Sequence, residues 1–316
     1  MHGQFVWYEL TTPDPEASKR FYQPLAGWST QPFDDDYSMW TIGGQPLGGI
    51  FRLGAEQKAQ GIPPNWMPYV EVNSVDETAQ KAASFGGKAV VPPTDIPNTG
   101  RFAVLQDPQG ATFGVYKSAT QSNPWDGTSR LGRFSWHELM TTDYRAAFDF
   151  YRKLFGWDMT SEMDMGELGM YRMYGLKGKA YGGIYNRTAD MASVPPFWLP
   201  YIHVKDVKAS TDAAKRAGAQ VVNGPMEVPG GDVIVVLSDP TGAAIALHQA
   251  PANAAKASKP AKASKVKKAK AAVKKAAKKV KSKVKARKKD LKKAKKAKKA
   301  KKAKKKDSKK KKKSKR

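Results

Sequence analysis

Two carboxylates stand at matched places in the chain. Glu9 lies in Phe5-Val6-Trp7-Tyr8-Glu9-Leu10, and Glu138 lies in Phe134-Ser135-Trp136-His137-Glu138-Leu139. Both segments have the aromatic and β-branched character, with alternation, of a strand. A strand sends alternate side chains to the same face, so each Glu shares a face with the Trp two residues before it. A carboxyl beside an indole in a pocket can have a raised pKa and serve as an acid, a base or a hydrogen-bond anchor. The competing use is structural: each Glu pairs with an Arg or Tyr and holds the sheet closed.

Three further groups could do chemistry or bind. Glu138, His203 and His248 could share one cavity as ligands of a divalent metal, whereas Glu9, Glu71 and Tyr116 form a poorer set at the corresponding places. The histidines could equally be strand-end residues titrating freely near neutral pH. Trp7, Trp40, Trp66 and Tyr69, and then Trp136, Met170, Met173, Trp198 and Tyr201, could line pockets for a flat apolar or aromatic ligand; any of them could instead be core. No G-x-S-x-G elbow or Walker loop is present, which argues against hydrolase and kinase chemistry. The pairs Gly43-Gly44 and Gly48-Gly49 read as turns and bulges.

These residues are positioned by a repeat. The strand around Glu9 recurs around Glu138, and Phe21-Tyr22-Gln23-Pro24-Leu25-Ala26-Gly27-Trp28 recurs as Phe150-Tyr151-Arg152-Lys153-Leu154-Phe155-Gly156-Trp157. Gly48-Gly49-Ile50 returns as Gly182-Gly183-Ile184, and Trp66-Met67-Pro68-Tyr69-Val70 as Trp198-Leu199-Pro200-Tyr201-Ile202. Asp107-Pro108-Gln109-Gly110-Ala111 returns as Asp239-Pro240-Thr241-Gly242-Ala243. Five blocks in one order identify a duplicated domain. In the first copy, Asp14 or Ser18 caps a helix that presents Phe21, Tyr22 and Leu25 and stops at Gly27. Strands follow around Ser38–Ile42 and Leu47–Phe51, then a second strand-helix-strands half begins at Tyr69–Val72. Its helix spans about Val75–Phe85, and its strands lie near Ala89–Val91, Arg101–Gln106 and Thr112–Tyr116. Helices around Tyr144–Leu154 and Val207–Ala217 repeat the pattern, which closes on strands Val233–Ser238 and Ala244–His248. The reading is α+β: two tandem domains, 1–118 and 131–250, each of paired βαβββ modules curved around a cavity, joined by a linker at 119–130.

With Trp-x-Glu-Leu leading to an Asp, then Phe-Tyr-x-x-Leu-x-Gly-Trp and Asp-Pro-x-Gly, both copies resemble the vicinal oxygen chelate superfamily of glyoxalases, bleomycin-resistance proteins and extradiol dioxygenases. The resemblance implies curved sheets enclosing a cavity for a small molecule or a divalent metal. It also implies metal ligands on the first, fifth and eighth strands of each domain. Those positions fall on Trp7, Met67 and Gly114, and on Trp136, Leu199 and Ala246. None of these side chains is a hard-metal ligand. The expectation is therefore a small-molecule-binding protein without the family metal and with no predicted cofactor. The alternative is a lyase or dioxygenase of the glyoxalase type, with a displaced metal or with Glu9 or Glu138 as acid/base.

The charge is not evenly spread. From Asn253 to Arg316 there are 35 Lys and Arg against two acids, Asp290 and Asp307, a net of +33; the rest, with 21 basic and 26 acidic residues, carries −5. Lys, Ala, Ser and Val dominate this segment, so it cannot build a core and is expected to be disordered when free. It resembles the C-terminal domain of linker histones. Lys267, Lys268, Lys274, Lys275, Lys278, Lys279, Lys288, Lys289, Lys292 and Lys293 are its candidate phosphate contacts, and the implied partner is nucleic acid bound without sequence preference. A purely architectural nucleoid protein is a third reading. Without cysteine, a secretory signal or a long apolar run, the expected setting is cytoplasmic and nucleoid-associated, with no membrane span.

Overall fold

The computed structural model of the chain describes residues 2–120 and 130–251. The predicted basic tail, with Lys267 through Lys293, lies outside them, as does most of the predicted linker. Among the described residues no helix is long and apolar enough to cross a membrane.

The first domain runs β1 (Phe5–Thr12), α1 (Pro15–Ala26), β2 (Ser29–Pro32), β3 (Tyr37–Ile42), β4 (Gln45–Arg52), α2 (Ala55–Ala59), β5 (Asn65–Glu71), α3 (Val75–Ser84), β6 (Lys88–Ile96), β7 (Gly100–Gln106) and β8 (Thr112–Ser118). The second runs β9 (Phe134–Thr141), α4 (Tyr144–Phe155), β10 (Asp158–Asp164), β11 (Met170–Leu176), β12 (Lys179–Asn186), β13 (Phe197–His203), α5 (Val207–Arg216), β14 (Gln220–Glu227), β15 (Val233–Ser238) and β16 (Ala244–Gln249). Each set of eight strands forms one mixed sheet, in the orders β2-β3-β4-β1-β5-β8-β7-β6 and β10-β11-β12-β9-β13-β16-β15-β14. The two βαβββ halves of each sheet meet at its centre, where β1 runs antiparallel to β5 and β9 to β13.

Local chemistry sets the helix ends. Asp14 caps α1 by accepting from the Ala17 N–H at 3.1 Å, Pro15 supplies the first helical residue, and Gly27 ends it in the left-handed region. Asp143 and Gly156 do the same for α4. The structure extends two strands beyond their sequence reading. β5 starts at Asn65 rather than Tyr69, through Pro68; the neighbouring ladder to β8 begins only at Tyr69. β6 runs through Pro92 and Pro93, which an edge strand tolerates because one side has no partner to bond. The short strand β2 carried no pattern in the sequence, being polar and mostly exposed.

One face of each sheet packs into a core common to both domains. Phe5, Tyr8 and Leu10 of β1 meet Phe134 and Leu139 of β9, with Tyr8 stacked on Phe134 and Phe5 on His137, both at 3.7 Å between centroids. The repeated motifs then bond across domains. Trp66 donates to the Tyr22 hydroxyl at 2.9 Å, and Tyr22 donates to Asp239 Oδ2 of the second domain at 3.0 Å. Reciprocally, Trp198 donates to Tyr151 at 3.1 Å and Tyr151 to Asp107 Oδ2 at 3.0 Å. The other oxygen of each Asp accepts backbone N–H groups of its own Asp-Pro-x-Gly turn. Trp28 donates to the Gly132 carbonyl and Trp157 to that of Gly3, a second exchanged pair.

Removing one hydroxyl tests this lock. Tyr151→Phe leaves Asp107 Oδ2 and the Trp198 indole unpaired in the core, and should cost about 2–4 kcal/mol in urea unfolding; Tyr22→Phe should cost the same. A loss near zero in both would refute the role assigned to the exchange.

His137 makes a second test. Its Nδ1 lies 3.0 Å from the Tyr181 carbonyl, which can only accept, so Nδ1 carries the proton and Nε2 accepts from the Tyr8 hydroxyl at 2.6 Å. Burial lowers its pKa to about 3. The unfolded chain takes up this proton near pH 6.5 and the folded one only near 3. Folded stability therefore falls with pH across that window, by up to about 1.4 kcal/mol per unit from this residue. His137→Gln should flatten the stability-against-pH curve between pH 6 and 4 by about that slope; an unchanged slope in the variant would overturn the assignment.

Candidate ligand site

On the face of each sheet turned away from the common core, the family resemblance implies a hollow. In the second domain Leu199, Tyr201 and Ala246 form a buried cluster apart from the main core, with the partly exposed Trp136, Phe197, Ile234, Val236 and Ala244 packed around it.

Glu9 is the hub of the first hollow. On β1 it pairs across to Met67 of β5 and lies beside Gly49 of β4. Its Oε1 accepts from the Tyr37 hydroxyl at 2.9 Å and its Oε2 from the Tyr69 hydroxyl at 2.5 Å. Tyr37 in turn accepts from the Trp7 indole at 2.9 Å. The second hollow repeats the geometry. Glu138 accepts from Tyr171 at 2.8 Å and from Tyr201 at 2.7 Å, and Tyr171 accepts from Trp136 at 2.8 Å. Glu9 and Glu138 are half-buried, with protein around each carboxyl. That burial pushes its pKa up, and the tyrosine hydrogen bonds oppose the rise. All four tyrosines are held protonated by burial and by the neighbouring carboxylate, so they act as fixed donors.

Tyr37 and Tyr171 are the residues that sequence reasoning missed. Their signal was available: Gly48-Gly49 and Gly182-Gly183 lie inside β4 and β12, not in turns. A Cβ on Gly49 would fall 1.9 Å from the Tyr37 hydroxyl oxygen, and one on Gly183 would fall 1.9 Å from the Tyr171 ring. These glycines are the notches that admit the tyrosines. Gly43 and Gly44, at φ of 56° and 75°, do form a turn.

The other candidate residues divide by face. Trp7, Tyr69, Trp136 and Tyr201 belong to the hollows. Trp40, Trp66 and Trp198 do not: they are buried in the common core around Tyr22 and Tyr151. Met67 and Leu199 face the hollows beside the Glu residues. Of Met170 and Met173, Met170 packs against the common core.

The displaced metal set does not assemble. Glu138 is held by its two tyrosines, while His248 spans Ser135, with Nδ1 to Oγ at 3.0 Å, and Asp232, with Nε2 to Oδ1 at 2.7 Å. His203 does pair with His248 across β13 and β16, with ring centroids 5.2 Å apart. Among the described residues no group of three His, Cys, Asp or Glu side chains could hold a metal ion. In the first domain Glu71 instead faces Lys117 at 3.7 Å, and Tyr116 donates to the Thr99 carbonyl. Of the positions that the resemblance assigns to metal ligands in the first domain, Trp7 and Gly114 flank Tyr69 in the ladder, while Met67 lies opposite Glu9. Indole, thioether, glycine and aliphatic side chains there offer no hard donor set, so the family's metal does not fit these residues.

Known proteins agree with this architecture. The model of the Glyoxalase/Bleomycin resistance protein/Dioxygenase superfamily matches residues 4–115 and again 131–247. A putative glyoxylase, CFP32, of Mycobacterium tuberculosis (strain CDC 1551 / Oshkosh) is 32% identical over 254 residues, covering 76% of this chain and 92% of the relative. The anthracycline biosynthesis protein DauV of Streptomyces sp. (strain C5) is 28% identical over 260 residues, 78% of this chain and 92% of the relative. Among solved structures, the Mn(II)-bound glyoxalase from Novosphingobium aromaticivorans shares the fold at a TM-score of 0.56 and 14% identity, over 78% of this chain and 82% of its own. The 2,3-dioxygenase LapB from Pseudomonas sp. KL28 does so at 0.57 and 11%, over 79% and 94%. With two copies of the family's module in register and relatives matched over nearly their whole length, the chain belongs to the Glyoxalase/Bleomycin resistance protein/Dioxygenase superfamily.

Proposed function

We propose that the protein binds a small, largely aromatic molecule in its paired hollows without a metal, with Glu9 and Glu138 as the polar anchors, and that its basic tail tethers it to nucleic acid. The observation that carries the first part is the Trp-Tyr-Glu-Tyr relay. It occurs twice with the same atoms in the same roles, and it starts from Trp7 and Trp136, the first-strand positions where the resemblance implies metal ligands. A few convergent polar groups on an apolar wall are the usual make-up of a small-molecule site. Supporting the metal-free reading, the relay leaves tyrosines and tryptophans, not imidazoles, around each carboxylate. Binding followed by tryptophan fluorescence against a panel of small aromatic compounds should survive exhaustive chelation. Gly183→Ala, which drives Tyr171 off Glu138, should weaken binding in the second hollow about tenfold or more, the loss of a hydrogen-bonded anchor. Binding that appears only after Mn(II) or Fe(II) is restored would sink this reading.

The tail reading rests on charge. The family match ends at residue 247, and the relatives cover 76–78% of the chain, so the +33 segment is an addition to the family body. Lysines at this density bind phosphate chains by releasing condensed counterions, and bind them with little sequence preference. This supports a nucleoid-associated role, with DNA the simplest partner. Affinity for duplex DNA of random sequence should fall about a thousandfold or more between 50 and 200 mM salt, as expected for many phosphate contacts. Deleting residues 256–316 should abolish retention on DNA at low salt. Equal elution of the full-length and truncated proteins would refute the tether.

A further inference from the structure

Among the described residues, the groups that hydrogen-bond Glu9 and Glu138 bring no opposite charge. Other buried carboxylates here have partners suited to an anion: Glu71 faces Lys117, and Asp107 and Asp239 accept the backbone N–H groups of their own turns. The groups acting on Glu9 are Tyr69 and Tyr37, and those acting on Glu138 are Tyr201 and Tyr171, with no lysine, arginine or histidine among them. Neutral hydroxyls lessen the cost of burying a carboxylate but bring no opposite charge.

The hydrogen-bond inventory at each hub is equally one-sided. Each carboxylate oxygen takes one tyrosine hydrogen, which leaves a lone pair on each oxygen unused. Tyr37 and Tyr171 spend their only hydrogens on Glu while receiving one from Trp. Tyr69 and Tyr201 also spend theirs on Glu. What the hub still offers is acceptor capacity alone, so an incoming polar group must be a donor. Beside it stand the half-buried indoles of Trp7 and Trp136, whose ring faces attract cations as well as flat apolar surfaces.

We propose that the ligand of each hollow is a flat aromatic cation, whose charged nitrogen donates to Glu9 or Glu138 and whose ring system lies along Trp7 or Trp136. This rests on the reading that the hollows bind small molecules, and it adds the charge and the donor group. A protonated amine or amidinium conjugated to two or three fused rings meets both demands. A neutral ring of the same shape meets only one, and an anionic one is repelled. Burial of the carboxyl fits the same scheme, since the arriving cation supplies the counter-charge that the protein withholds.

The test varies the probe before it varies the protein. Full-length protein, stripped of nucleic acid at high salt, is titrated with 9-aminoacridine, a cation at neutral pH, and with acridine, which has the same ring system and is neutral there. Binding is followed by quenching of tryptophan fluorescence. The cation should bind at least tenfold more tightly, with two equivalents per chain. In the Glu9→Gln/Glu138→Gln double variant that preference for the cation over acridine should vanish. Equal affinity of the two probes for the native protein overturns the proposal and leaves the small-molecule reading standing. A preference that persists in the double variant also overturns it, and binding of neither probe overturns both. Because the first comparison uses native protein, it decides the matter even if the glutamine variant fails to fold; the single variants, each expected to halve the number of cation sites, then place the effect.

Discussion

The exchange of hydrogen bonds between Tyr22 and Asp239 and between Tyr151 and Asp107 is the constraint on which the molecule is built. Each pair brings a helix of one domain to the closing turn of the other, deep in a shared core. An unpaired aspartate oxygen at such a place costs several times what a paired one contributes, so neither domain keeps this core intact without the other. The inward faces of both sheets are thereby used up in joining the domains. Only the outward faces are left outside this core, and Glu9 and Glu138 appear on them while Tyr8 and His137, one residue away, do not.

The same alternation explains how the relay forms. Glu9 and Trp7 share a face of β1, and Tyr69 shares that face of β5 because Trp7 pairs with it across the ladder. Tyr37 arrives from β3, reaching over β4 at Gly49, where a side chain would stand in its way. Four groups from three strands thus form a continuous chain of donors and acceptors, Trp to Tyr to Glu and the second Tyr to the same Glu. Bonds in such a chain polarise one another in a low-dielectric site. Rigidity follows, and with it a fixed direction for the unused lone pairs.

Much of this was legible in the sequence, and the limits have physical reasons. The five repeated blocks reveal the duplication and the βαβββ order, because turn residues and caps have strict backbone demands. Parity along β1 and β9 correctly placed each Glu with its Trp. Parity would also have separated Trp66 from Tyr69 and Trp198 from Tyr201, since three residues apart means opposite faces. Aromatic content alone put Trp66 and Trp198 in the pocket, and Trp40 with them; all three are core, because here both faces of the sheets are aromatic. Tyr37 and Tyr171, two strands from the carboxylate, stayed hidden because what selects them is space at a glycine on the strand between, a quantity no local pattern encodes. His203 and His248 do meet across β13 and β16, as parity suggested, but Glu138 was already satisfied by its tyrosines.

The two hollows are not copies in every respect, and the differences follow the repeat. Gly114 of the first becomes Ala246 in the second, Phe102 becomes Ile234, Thr112 becomes Ala244, and Asn65 becomes Phe197. The second floor is the more apolar and the better filled, while the relay itself is unchanged. Selection for a bare cavity would not preserve four hydrogen-bonded groups in both copies while the walls drift around them. Since the relay brings no opposite charge to its carboxylate, it is costly as a purely structural device when set against an apolar packing of the same volume. Keeping it twice makes sense if what enters the hollows completes it.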